Sequence, residues 1–204
     1  MQLKKYQIES LDILSKFLDD VKINGVAKSY EKYAVSNIFN QYAVTKYKPI
    51  IGLENTPYVC VRIPTGGGKT VLASNSIAVA KDYLQRDFPL VLWLVPSKII
   101  LNQTVEALKN KNHPYRESIN KQFGNNVIVY NIDEYKQITK NDVVNNVCIV
   151  VSTIQKLKIK NKDGRKIYGD FEDYQDFFTS INNTDNLDMD SEKKTSSIFF
   201  CKYL

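Results

Sequence analysis

The stretch Tyr58-Val59-Cys60-Val61-Arg62-Ile63-Pro64-Thr65-Gly66-Gly67-Gly68-Lys69-Thr70-Val71-Leu72-Ala73 decides how the rest of the chain is read. A β-branched, apolar run ends at a proline. Three glycines follow, and Lys-Thr then opens a run of helix formers. The pattern predicts a strand, a phosphate-binding turn and a helix. Consecutive glycines let the backbone curl until its N–H groups point inward at an anion. The first helical turn adds unpaired N–H groups and the positive end of the helix dipole. Thr65, Gly66, Gly67, Gly68, Lys69 and Thr70 then cradle a nucleotide's phosphates. Lys69 reaches the β- and γ-phosphates, and the Thr70 hydroxyl ligates Mg²⁺. Ile63 stands where the general G-x-x-x-x-G-K-[ST] pattern has glycine, but the core Thr-Gly-Gly-Gly-Lys-Thr is intact.

Around this turn the chain alternates. Residues 1–24 carry Leu11, Leu14, Leu18 and Val21 at helical spacing opposite Lys16, Asp19, Asp20 and Lys22, with Gly25 as a stop. A second helix is expected over 27–43, where Tyr30, Tyr33, Ala34 and Ile38 read as core rather than as a platform for stacked bases. Residues 45–57, with Pro49, Gly52 and Pro57, read as a linker. After the turn comes a helix to Arg86, then the strand Leu90–Val95, whose unbroken apolar run implies burial on both faces. Helices over 98–109 and 113–123 and strands over 127–132 and 147–152 complete an α/β alternation with a mostly parallel sheet and helices on both faces. The expected organisation is a helical segment over 1–56, a core over 57–158, and a charged insertion with an irregular tail over 159–204.

Bulk composition narrows the function. The chain has 204 residues, 43 % hydrophobic and 25 % charged, which suits a globular domain. A formal charge of +6 fits a nucleic-acid partner without requiring one. Cys60, Cys148 and Cys201 lack metal-ligand spacing or a paired framework, so a reducing cytoplasm is expected. His113 is the single histidine, which excludes histidine triads and zinc clusters. The longest apolar stretch, Leu90–Val95, is too short to span a bilayer, and the start is not a signal peptide.

Further segments fit one machine. In Leu3-Lys4-Lys5-Tyr6-Gln7 a glutamine amide upstream of the turn is placed to pair with adenine N6 and N7. Val95-Pro96-Ser97-Lys98 followed by Asn102-Gln103-Thr104, and Val151-Ser152-Thr153-Ile154-Gln155, set small polar groups at strand ends, where an open sheet collects ligands. With His113-Pro114-Tyr115-Arg116, these segments resemble the first motor domain of superfamily-two DEAD/DEAH-box helicases. The nearest likeness is the restriction (helicase) subunit of type III restriction–modification systems, over roughly residues 1–170. The resemblance implies a RecA-like P-loop domain, incomplete at its C-terminus. It also implies ATP held by Gln7 and residues 65–70, with Mg²⁺ on Thr70. DNA backbone contacts are implied at Pro96, Ser97, Gln103, Ser152 and Thr153, and a modification methyltransferase subunit is an implied partner. Lys69 and Thr70 are the residues it makes catalytic.

The chain departs from this family in one respect. Such motors carry an Asp-Glu pair at a strand end, for Mg²⁺ and for the attacking water. Nothing after Gln155 has that form, and Asp188-Met189-Asp190 lacks a preceding strand. Asp133-Glu134 follows the 127–132 strand and is the local imitation, one strand early. A second motor domain, its arginine finger and a nuclease are also lacking, so the expectation is an N-terminal piece of a longer chain. The alternatives are a non-catalytic nucleotide- and nucleic-acid-binding module, and a small self-contained ATPase using Asp133 and Glu134. Strand-end capping is the alternative reading of Ser152 and Thr153.

Overall fold

The computed structural model describes residues 2–34, 46–51, 53–157 and 199–202. Residues 1–86 and 87–204 form two compact units. In the first, α1 (Lys5–Asn24) buries Leu14, Phe17, Leu18 and Val21 and ends at Gly25, whose φ of 78° favours glycine. Helix α2 (Val26–Ala34) turns back, and Tyr30 and Tyr33 pack on the α1 cluster with Tyr47, Val79 and Tyr83. The Phe17 and Tyr33 rings meet edge to face at 6.4 Å, so the tyrosine stripe is core, as its spacing suggested. The far part of the expected second helix, including Ile38, lies outside the described residues. Helix α3 (Lys69–Leu84) packs against α1 and buries Val71, Leu72, Ile77 and Ala80. Asp20 accepts from Ser29 at 2.7 Å and pairs with Lys32 at 2.5 Å, joining α1 to α2. These bonds, that from Lys32 first, hold the Asp20 carboxyl below its usual range.

One expectation fails here. Residues 57–64 form no regular strand: Tyr58, Cys60, Val61 and Arg62 are exposed, and Ile63 alone is buried. A β-branched run becomes a strand only with a ladder partner to satisfy its N–H and C=O groups, and no described strand pairs with this one. Tyr47 holds the segment instead. Its hydroxyl accepts from the Tyr58 N–H and donates to the Thr56 carbonyl, both at 3.1 Å.

The second unit is the sheet. Strands β1 (Leu90–Val95), β2 (Val127–Asn131), β3 (Val147–Thr153) and β4 (Phe199–Lys202) lie in the order β2-β3-β1-β4, all parallel. Leu90 registers with Cys148 and Val95 with Thr153. β3 is buried along its whole length, as an inner parallel strand requires. β4 was not anticipated, since the strand is only four residues long. Helices α4 (Lys98–Lys109) and α5 (Pro114–Phe123) link β1 to β2, while a 3₁₀ turn (Ile132–Gln137) and α6 (Lys140–Asn145) link β2 to β3. The short helix α7 (Ile154–Leu157) follows β3. Burial pushes the Cys148 thiol up to about 12, which keeps it protonated and inert. Expectations for 158–198, including the basic and acidic stretches, fall outside the described residues. Among the described residues no helix is long and apolar enough to cross a membrane.

Candidate nucleotide and nucleic-acid sites

Within the first unit, Thr65–Gly68 turns tightly into α3. Gly66 and Gly68 adopt left-handed φ values of 78° and 77°. The Gly67 N–H closes the turn on the Pro64 carbonyl at 3.0 Å, and the Leu72 N–H reaches the Gly68 carbonyl at 3.0 Å. A Cβ on Gly67 would lie 2.4 Å from Ile63 Cγ2 and 2.9 Å from the Pro64 carbonyl oxygen. One on Gly68 would lie 2.5 Å from Gln7 Nε2. The turn therefore requires glycine for space at Gly67 and for both space and φ at Gly68. Helix α3 begins at Lys69 and carries no acidic residue in its first turn. Thr70, half-buried, sits at the second helical position, with its carbonyl accepting from Ser74 at 2.9 Å. This curled backbone, with an ammonium and a hydroxyl beside it, fits a polyphosphate and its Mg²⁺.

Gln7 is brought to this turn, with both ends of its amide bonded to the chain. It is 2 % exposed. Its Oε1 accepts from the Lys4 N–H at 2.9 Å, capping the start of α1, and its Nε2 donates to the Gly67 carbonyl at 3.0 Å. The Tyr6 hydroxyl donates to the same carbonyl at 2.7 Å. The sequence placed Tyr6 beside the glutamine without assigning it a partner, since only the fold shows its reach to residue 67.

Within the second unit, the C-terminal ends of β1, β2 and β3 open on one groove of about 420 Å³. Pro96, Ser97, Lys98, Asn131, Thr153 and Lys156 are among its lining. Two of its polar groups also cap an element. Ser97 Oγ accepts from the Ile100 N–H at 3.3 Å, and Thr153 Oγ1 from the Lys156 N–H at 3.3 Å. Gln155 Nε2 donates to the Pro96 carbonyl at 3.3 Å, tying the ends of β1 and β3. Ser152 is fully buried and donates to the Thr153 carbonyl at 3.2 Å, so it stands behind the groove rather than in it. Gln103 is exposed on α4 but outside the groove lining.

Asp133 and Glu134 both have basic partners. Asp133 pairs with Lys156 on the groove wall. Glu134 accepts from the Asn131 N–H at 2.7 Å and pairs with Lys109 at 2.9 Å. Those contacts, the backbone bond first, hold its carboxyl below the usual range. Among the described residues no cluster of three or more metal-ligating side chains occurs.

Arg116, from the His113-Pro114-Tyr115-Arg116 phrase, is 5 % exposed. Its guanidinium donates to the Leu108 carbonyl at 2.9 Å, the Val127 carbonyl at 2.7 Å and Asn120 Oδ1 at 2.8 Å. Burial pulls it below its ordinary value. It binds α4, α5 and β2 together and is not among the residues lining the groove described above.

The family model described as type III restriction enzyme, res subunit, matches residues 1–199. No curated protein and no solved structure matches the chain. The α/β architecture with its parallel sheet is accordingly that of a RecA-like P-loop domain.

Proposed function

The chain belongs to the type III restriction enzyme res-subunit family, and we propose that it is the ATP- and DNA-binding half of a DNA-dependent translocase of that kind, acting in the cytoplasm. The observation that carries this reading is the glycine turn at the head of α3, which curls through left-handed φ at Gly66 and Gly68 onto the start of the helix. Such a turn serves close approach of backbone to a ligand. Thr65 to Gly68 would surround the phosphates, Lys69 would meet their charge, and Thr70 would hold Mg²⁺. The bound ion would neutralise charge developing on the phosphates. Gln7 would act through the loop. Pro96, Ser97, Gln103 and Thr153, with Lys98 and Lys156, would receive the DNA backbone, and Ser152 would support that surface from behind. A modification methyltransferase subunit is the protein partner that membership of this family suggests.

Calorimetric titration of the folded chain with Mg-ATP tests the reading. A saturable heat is expected, and its absence sinks the proposal. Turnover measured with and without duplex DNA separates a motor half from a binding module.

The Asp133–Lys156 pair gives a second test. Lys156 lines the groove, and Asp133 pairs with it. Asp133→Asn should tighten duplex DNA binding about fivefold at moderate salt and steepen the salt dependence by about one ion. If Asp133 instead served as an acidic catalytic residue, the same change would abolish turnover and leave DNA affinity unaltered.

A further inference from the structure

We infer that Tyr6 is a positioning residue of the phosphate site: its hydroxyl fixes the Gly67–Gly68 peptide so that the Gly68 N–H faces a bound phosphate. The inference rests on the phosphate-site reading above and adds to that site a residue from outside the glycine turn.

Tyr6 lies in the first turn of α1, 61 positions before Gly67, and its hydroxyl donates to the Gly67 carbonyl at 2.7 Å. Gln7 Nε2 donates to the same oxygen at 3.0 Å. A carbonyl oxygen has two lone pairs, and two consecutive residues of α1 fill both. The peptide carrying this oxygen joins two glycines. Glycine accepts φ of either sign, so turning that peptide over meets no Cβ on either side. What opposes such a flip is the pair of donors on the oxygen, because a flip would strand both of them.

Fixing the oxygen also fixes the N–H. All peptide bonds in the described chain are trans, so the Gly68 N–H points opposite to the Gly67 carbonyl, away from the start of α1. Gly68 caps α3, where the helix itself supplies no acceptor for that N–H. It is thereby a donor held ready for an anion. A flipped peptide would present the carbonyl oxygen in its place, and that oxygen repels a phosphate.

Calorimetric titration of the parent, Tyr6→Phe and Lys22→Met chains with Mg-ATP and with inorganic tripolyphosphate tests this. Tyr6→Phe removes one oxygen from a ring 38 % exposed, and it should weaken both ligands by a common factor of about fivefold. Lys22 ties α1 to α3 away from the turn, donating to the Asp82 carbonyl at 3.3 Å and lying 5.5 Å over the Tyr83 ring. Lys22→Met loosens that tie and should bind both ligands within about twofold of the parent. In the parent chain, bound Mg-ATP should slow hydrogen exchange of the Gly68 amide about tenfold or more, a readout that needs no variant and no second ligand. Unchanged affinity in Tyr6→Phe, or a loss confined to ATP, overturns the inference and leaves the phosphate site standing. An equal loss in Lys22→Met, or a Gly68 amide left unprotected by bound Mg-ATP, does the same. If the parent binds neither ligand, the phosphate-site reading and this inference fall together.

Discussion

Replacing Lys69 by alanine removes Mg-ATP binding: a calorimetric signal present in the parent chain disappears, an affinity loss of at least about 100-fold. The side chain leaves the first residue of α3, where the turn and the helix end meet and the first turn carries no acidic group. An ammonium there acts on a highly charged polyphosphate in a half-buried setting, where screening by water is incomplete. Lys69→Arg should recover little, because the planar guanidinium is broader than the point charge it replaces. Gly67→Ala should reach a similar loss by a different route. Its methyl carbon would lie 2.4 Å from Ile63 Cγ2 and 2.9 Å from the Pro64 oxygen, so the turn must open. The Gly67 N–H bond to Pro64 would go with it. Circular dichroism should show folded protein in the lysine variants. A Lys69→Ala chain binding Mg-ATP within twofold of the parent refutes the site.

Much of this was legible before any coordinates, and the failures have physical causes. The Thr65–Thr70 turn, α1, α3, α4, α5 and strands β1, β2 and β3 follow from glycine placement, helical spacing and unbroken apolar runs. These are local signals, and the structure keeps them within a residue or two, except that α1 starts at Lys5, four residues later than expected. The expected strand at 58–63 is absent because a strand depends on a partner, which no local pattern supplies. β4 escaped notice for the converse reason: Val91 to Leu94 pair with Phe199 to Lys202, but four residues are too few to stand out. For the site, residue types identified the turn and the strand-end groove, but hydrogen-bond partners did not. Nothing in the spacing of Gln7 and Gly67, 60 positions apart, shows that one amide meets the other's carbonyl. Nor does the sequence reveal that Ser152 is sealed inside β3 while Thr153 reaches the groove. Alternation along a strand gives two faces, and burial on both had been expected for such a sheet.

Arg116→Ala should destabilise the sheet unit by about 3–5 kcal/mol, read from urea or thermal unfolding, with the chain folded at low temperature. The guanidinium makes three bonds that no neighbour can replace: to the last turn of α4 at Leu108, to the first residue of β2 at Val127, and to Asn120 one turn along α5. Truncation leaves two buried carbonyls without donors and opens a cavity where the side chain lay. The cation also sits at the C-terminal end of α4, where the helix dipole favours positive charge and offsets part of the desolvation that burial imposes. Arg116→Lys separates these contributions. It keeps the charge near α4, but one ammonium on a flexible stem cannot span acceptors arranged around a planar fork. It should recover less than half of the lost stability. Arg116→Met fills the volume without charge and leaves both carbonyls unpaired, so it should resemble alanine more than lysine. If this arginine instead completed a catalytic centre, as its place in a motif phrase could suggest, Arg116→Lys and Arg116→Ala would lose turnover while unfolding at the parent midpoint. A coincident midpoint for parent and alanine variant would therefore remove the structural assignment, since three buried bonds cannot vanish without a shift of several degrees.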